Sequence, residues 1–165
     1  DKANVLMIVD VDHFKSINDN FGHPVGDQAL ISLGKVFRKT LRATDLVGRI
    51  GGEEFGIFLR DTSLPEGQVI GEIIRHEIEN MIFEPYANMR HVITVSIGVT
   101  DVAAHHRRAA IMGNADTALF TAKRRGRNQV VVFEPGMRAK PRPTQEKAQS
   151  FQMAMMQFPL MQNLK

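Results

Sequence analysis

The chain is 165 residues long, 43% hydrophobic and 24% charged, the size and balance of a single ordinary globular domain. It has no cysteine, which excludes disulfides, thiolate metal sites and cysteine nucleophiles and fits a reducing, cytoplasmic setting. Its formal net charge of +3 is lopsided: residues 1–122 hold 12 basic and 16 acidic side chains, residues 123–165 hold nine and two.

The basic end reads as a solvated linker, because aromatic residues do not interleave its charges as in nucleic-acid grooves, so no DNA or RNA partner is expected. The longest aliphatic run, residues 5–9, is far too short for a bilayer span. No basic segment followed by an apolar core opens the chain. A first residue of Asp1 rather than Met reads as a piece of a longer protein, one that a segment elsewhere could tether to a membrane.

In chain order, residues 4–9 form a near-continuous apolar run ending at a carboxylate, the pattern of a buried strand. Residues 10–18 and the following Phe21-Gly-His-Pro-Val-Gly-Asp27 are rich in turn residues. Leu30, Leu33, Phe37 and Leu41 then recur at helical spacing, predicting a helix over about 25–40. Residues 46–50 and 53–59 are β-rich and flank Gly51-Gly52, a two-residue hairpin signal because glycine tolerates positive φ. Ser63-Leu-Pro-Glu66 predicts a capping box, opening a helix with Val69, Ile70, Ile73, Ile74, Ile78 and Ile82 on one face. Ile93, Val95, Ile97 and Val99 alternate with Thr94, Ser96 and Gly98 as a strand. A helix carrying Ala115, Ala118, Leu119 and Ala122 stops at Gly126, and residues 129–133 are the last strand.

This order predicts an α+β fold with a ferredoxin-like βαββαβ core, an antiparallel sheet with helices packed on one face. Residues 1–134 are read as that domain. Residues 135–165 are read as a basic, Pro-containing linker followed by a Met-rich amphipathic tail that packs on a neighbouring domain. His91, His105 and His106 read as polar loop residues rather than a metal site.

In such a sheet the end of the first strand lies beside the central hairpin, which gathers Asp10 and Asp12 with Glu53 and Glu54. Carboxylates held this close call for a cation. Oxygen-only ligands select magnesium or manganese, and magnesium commonly bridges to substrate phosphates. Lys15, Lys123 and Arg127 are candidate phosphate partners. The chemistry indicated is metal-assisted phosphoryl or nucleotidyl transfer; the blander reading of any one acid alone is a solvated loop.

Gly51-Gly-Glu-Glu-Phe55 resembles the signature of the GGDEF family of diguanylate cyclases in its GGEEF form. Asp10-Val-Asp-His-Phe-Lys-Ser-Ile-Asn-Asp19 and Phe21-Gly-His-Pro-Val-Gly-Asp27 resemble that family's first strand and guanine-binding segment. Ser96-Ile-Gly-Val99 and Ala115-Asp-Thr-Ala-Leu-Phe-Thr-Ala-Lys-Arg-Arg-Gly-Arg-Asn128 resemble its later strand and helix. The resemblance runs from about residue 5 to 133 and implies the sheet of nucleotidyl cyclases and polymerase palms.

It further implies that two GTP molecules condense into cyclic di-GMP across a homodimer, releasing two pyrophosphates. Asp10, the Val11 carbonyl and Glu53 are then expected to hold magnesium, with Glu53 and Glu54 as the catalytic carboxylates. Asn18, His23 and Asp27 are expected at the guanine nucleoside. Phe14, Lys15, Gly51, Gly52, Lys123 and Arg127 are expected around the phosphates. Arg42-Ala-Thr-Asp45 resembles the family's RxxD inhibitory site for product, with Arg75 a secondary arginine; a plain helix end with Asp45 as cap is the alternative.

The family's Asp-x-Leu-Thr turn and following helix, expected upstream of Asp10, are not in the nine residues before it, and an upstream sensory domain is expected to drive pairing. Weak or absent turnover is therefore expected of this piece alone. The competing readings are a cyclic di-GMP receptor and a GTP-binding regulatory module.

Overall fold

The computed structural model describes residues 3–103 and 106–139 together with Gln149 and Met153. The elements run β1 (Asn4–Val11), α1 (Phe14–Phe21), α2 (His23–Thr40), β2 (Leu46–Arg49), β3 (Glu54–Leu59), α3 (Leu64–Asn80), β4 (Val95–Val102), α4 (Arg108–Arg124) and β5 (Val130–Val132). The five strands form one sheet in the order β2-β3-β1-β4-β5. Its first four strands have the split order of a βαββαβ unit. β1 lies at the centre, antiparallel to both β3 and β4.

The apolar run of β1 is continuous because both of its faces are covered. Its odd residues Val5, Met7, Val9 and Val11 meet Ile17, Leu33, Phe37, Ile74 and Ile78 from α1, α2 and α3. Its even residues Leu6 and Ile8 meet Ile111, Ala115 and Leu119 of α4 on the other side. Helices thus lie on both faces of the sheet rather than on one. A strand's period of two is what separates these sets, and each fully buried aliphatic side chain contributes roughly 1.5–3 kcal/mol.

Two further expectations change. β5 pairs with β4 in parallel, because the α4 crossover returns the chain in the direction it came. The stretch after β1 is not a long turn: α1 occupies it, opened by His13 with φ 54° and ψ 34°, and α2 begins at His23 rather than Val25. Phe14, Ile17 and Phe21 recur at helical spacing and pack on the core, Ile17 alone being fully buried.

α3 opens with the predicted capping box, Ser63 Oγ accepting from Glu66 N and Glu66 returning the bond to Ser63 N. Its buried stripe is Gly67, Gly71, Ile74 and Ile78. Val69, Ile73 and Ile82 are instead exposed, since a helix can bury only about a third of its circumference against one sheet. α4 sits closer to the sheet than a side chain at position 98 would allow: a Cβ on Gly98 of β4 would overlap Ala115 O and Leu119 N. No helix among the described residues is long and apolar enough to cross a membrane. The Met-rich tail and most of the linker lie outside the described residues.

Candidate active site

The even face of β1 turns from apolar to acidic where α4 ends. Two strand residues advance about 6.6 Å and four helix residues about 6 Å, so side chains of a strand and a helix lying along it stay in step. Leu6 and Ile8 face Ala115 and Leu119; the next position, Asp10, receives Lys123 Nζ at 2.8 Å. Asp12, one step further, receives the Asn128 amide at 3.0 Å.

Asp10 pairs in register with Glu54 of β3 and Ser96 of β4. Asp10 and Glu54 are 4% and 5% exposed. Val11 N donates to Glu53 O at 3.2 Å, which draws the hairpin against the end of β1. Burial pushes the Asp10 carboxyl up to about 7; Lys123 pulls it down, and Glu54 and Glu53 push it up again. Burial is the main cause, the neighbouring acids add to it, and Lys123 is the positive charge that offsets them.

Among the described residues no three His, Asp or Glu side chains converge as a ready-made metal cage. The donors at hand are the Asp10 and Glu53 carboxylates and the main chain of Val11. Two hard oxygens plus a carbonyl, with the rest of the shell from water and phosphate, is a donor set that suits magnesium.

The hairpin departs from a two-residue turn. Ile50 N donates to Glu54 O at 2.9 Å, leaving Gly51, Gly52 and Glu53 as the connection. Neither Gly51 nor Gly52 has positive φ. The loop is held from outside by Arg49, whose guanidinium donates to Gly51 O at 3.1 Å and to Gly52 O at 3.0 and 2.6 Å. The short glycine side of this loop therefore leaves room rather than supplying a special conformation.

A second cluster lies at α1 and α2. Asn18 Oδ1 is buried and has no donor among the described residues. It faces Gly26, where a Cβ would overlap it, with the Phe14 ring alongside. Gly22, with φ 90° and ψ 159°, joins the two helices; L side chains avoid that conformation. His23 and Asp27 are exposed on the first turns of α2. Intrahelical bonds of α1 start at Ser16 and Ile17, which donate to His13 O, so the amides of Phe14 and Lys15 belong to the unsatisfied end of the helix. The Lys15 ammonium itself bonds Asp19 at 2.6 Å on the outer surface, and that carboxylate raises its pKa. Phe21 is flanked edge-on by Tyr86 and His91 at 5.8 and 5.2 Å, a wall from the α3–β4 connection that sequence reasoning missed.

The remaining predicted residues divide. Arg127 is exposed in the loop after α4, where it and Asn128 hold φ values of 64° and 46°. The left-handed conformation costs roughly 1–2 kcal/mol at Arg127, while asparagine tolerates it, so the arginine position needs anchoring. Arg42 and Asp45 do pair: Arg42 N and Nε donate to Asp45 Oδ2 at 2.9 and 3.3 Å and Nη2 to Oδ1 at 3.1 Å. Arg42 Nη2 also reaches Arg60 O at 2.7 Å and Thr62 Oγ1 at 2.8 Å. The Asp45 side chain is 2% exposed, that of Arg42 53%.

Arg75 is not brought to this pair. It donates to Glu72 at 2.9 Å, Glu79 at 2.6 Å and Asn128 Oδ1 at 3.0 Å, about 16 Å along α3 from the Leu64 end. It is a tied and mostly covered arginine, not one on a solvated face. Asp12, singled out with the other acids but given no role, is a hub instead. Its oxygens accept from Ser96 Oγ at 2.6 Å and Thr94 Oγ1 at 2.7 Å as well as from Asn128 N. The signal available was its place two residues after Asp10, opposite the polar positions of the next strand.

With this geometry in hand, comparison with known proteins is informative. Residues 1–129 match the family described as "Diguanylate cyclase, GGDEF domain". The chain is 42% identical over 130 residues to the probable diguanylate cyclase DgcT of Escherichia coli, covering 77% of this chain and 28% of that protein. It is 40% identical over 132 residues to the diguanylate cyclase DgcP of Pseudomonas aeruginosa, covering 78% and 19%. The chain thus spans less than a third of the length of these two relatives. Among solved structures it resembles the active GGEEF domain of a diguanylate cyclase from Vibrio cholerae, with TM-score 0.76 and 33% identity over 82% of this chain and 85% of that one. It also resembles the GGDEF domain of DgcB from Caulobacter crescentus, solved with c-di-GMP, with TM-score 0.75 and 31% identity over 79% and 78%.

Proposed function

The chain belongs to the GGDEF family of diguanylate cyclase domains, and from that premise we propose that two copies condense two GTP molecules into cyclic di-GMP and two pyrophosphates. The observation that carries the reading is the buried Asp10 carboxylate, in register with Glu54 and near enough to Glu53 for both acids to raise its pKa, with Lys123 the cation beside it. Asp10, the Val11 carbonyl and Glu53 would hold magnesium, which supplies charge neutralisation for the phosphates when bound.

The chain's own groups do the rest. Asn18 Oδ1, a buried acceptor without a donor, suits the N–H edge of guanine, with His23 and Asp27 at its rim. The Phe14 and Lys15 amides at the start of α1 suit phosphate oxygens. Lys123 leaves Asp10 for the triphosphate and joins Arg127 there, while Gly51 and Gly52 let the α-phosphate approach the main chain. Glu53, with Glu54 beside it, accepts the proton of the attacking 3′-hydroxyl. That oxygen bonds to the α-phosphorus of the GTP on the partner copy, and pyrophosphate leaves. Positioning and preorganised charge carry most of such a reaction.

The Arg42–Asp45 pair offers a half-exposed guanidinium on a buried carboxylate, a place for product phosphate and guanine to bind and slow turnover. Arg75 is assigned no part in it.

The test is chromatography and mass spectrometry of nucleotides after incubating concentrated protein with GTP and magnesium. Cyclic di-GMP is expected, slowly, from the wild type and not from Glu53→Ala, and added cyclic di-GMP is expected to slow the wild type but not Arg42→Ala. Product made equally by Glu53→Ala, or GTP left intact by the wild type even when two copies are held together by a fused coiled coil, overturns the reading.

A further inference from the structure

Asp12 takes no part in the steps above, yet it is 6% exposed and both its oxygens are spent inside the protein. Ser96 Oγ and Thr94 Oγ1 donate to it from β4, and Asp12 N donates to Thr94 O at 2.9 Å. These bonds lock the carboxylate in place. Its remaining bond reaches across to the main chain of Asn128 at 3.0 Å.

That amide belongs to the left-handed pair Arg127–Asn128, a conformation that asparagine tolerates and arginine adopts at a cost. The pair is anchored on each side. Arg127 N donates to Ala122 O at 3.0 Å, Gln129 Nε2 donates to Arg127 O at 3.0 Å, and Arg75 Nη1 donates to Asn128 Oδ1 at 3.0 Å. Arg75 is itself braced by Glu72 and Glu79. The loop so fixed follows the last turn of α4, where Lys123 contacts Asp10, and carries Arg127.

We propose that Asp12 is a positioning residue: acting through Asn128, with Arg75 as the second anchor, it fixes the loop after α4 that presents Arg127, beside Lys123 on the last turn of that helix, to the triphosphate of GTP. The proposal rests on the GTP reading above. It separates two ends of one ligand. The guanine end is held by α1 and α2, whose contacts do not involve Asn128; the phosphate end depends on the loop. Loss of Asp12 therefore weakens binding in proportion to the phosphates a ligand carries.

Calorimetric titration with 3′-deoxy-GTP, which lacks the attacking hydroxyl, and with GMP, both in magnesium, reads the two ends apart. Asp12→Ala is expected to lose about tenfold in affinity for 3′-deoxy-GTP while GMP affinity stays within about twofold. Asp12→Asn keeps an acceptor for the Asn128 amide and restores most of the loss. Asn128→Gly keeps the left-handed turn and the bond to Asp12 but removes the Arg75 anchor; about a threefold selective loss for 3′-deoxy-GTP is expected. Equal losses for the two ligands, or none, overturn the proposal. Should Asp12→Ala fail to fold by circular dichroism, Asn128→Gly decides, and an unchanged ratio of affinities there overturns it. A wild type that binds neither ligand overturns the GTP reading and this inference together; a wild type that binds both, with variants that keep its ratio, overturns this inference alone.

Discussion

Asp10 sets the pH behaviour of the site. Its carboxyl titrates near 7 in the fold against 3.8 in an exposed chain, raised by burial and by Glu54 and Glu53 against the pull of Lys123. A raised pKa means the folded state holds its proton more tightly. Asp10 therefore adds stability below about pH 4, and that contribution is lost as pH rises towards 7. A cation needs the ionised form, so apparent magnesium affinity is expected to fall about tenfold per pH unit below 7. Differential scanning fluorimetry checks both signs. Magnesium is expected to raise the melting temperature more at pH 8 than at pH 6. Asp10→Asn is expected to raise it at pH 8 without magnesium and to abolish the magnesium response. A magnesium response that is the same at both pH values would contradict the assignment. Single residues of this kind were legible because their signal is local: an acid closing a buried strand, two acids after paired glycines. Asn18 and its neighbour Gly26 were legible only as a motif, since what marks them is an acceptor left without a donor. The bonds from Arg75 to Asn128 and from Asp12 to Asn128 span 53 and 116 residues; no pattern along the chain announces them.

At the scale of elements, α4 does more than cover the sheet. Its C-terminal end delivers Lys123 to Asp10 and its following loop delivers Asn128 to Asp12, so its height above β1 fixes the site. That height depends on Gly98. Gly98→Ala must push α4 away or distort β4, at an expected cost of about 3 kcal/mol, and weakened magnesium binding is expected to accompany it. Urea unfolding with magnesium titration measures both; a variant within about 0.5 kcal/mol of the wild type would refute the close approach. β1, α4 and the capping box of α3 could be read from the chain because their patterns agree with their surroundings. α1 escaped although Phe14, Ile17 and Phe21 form a stripe at helical spacing, because it is only two turns long and is flanked by turn-forming residues. The outer isoleucines of α3 misled because apolar spacing does not say which stripe meets the sheet: Gly67 and Gly71 turn towards it and Val69 and Ile73 away. The choice was made by Val5 and Val130, against which those glycines pack.

At the scale of the molecule, one copy holds only half of the proposed reaction. A described protomer offers one acidic end at Asp10 and one buried acceptor at Asn18, a single set of contacts for a single GTP. Cyclic di-GMP closes a ring through two identical bonds, each joining the 3′-oxygen of one nucleotide to the α-phosphorus of the other. A two-fold pairing of identical sites makes both bonds with one set of residues. The rate per copy is therefore expected to rise with protein concentration while copies are mostly single. Fusing a parallel coiled coil to the N-terminal end, so that pairing becomes intramolecular, is expected to raise the rate at micromolar protein by roughly a hundredfold. Turnover assays across a dilution series, run with sedimentation to count copies, provide the check. A protein that sediments as a single copy and still converts GTP at a rate strictly proportional to its concentration would show that one chain suffices, and would remove the two-copy mechanism while leaving the site itself standing.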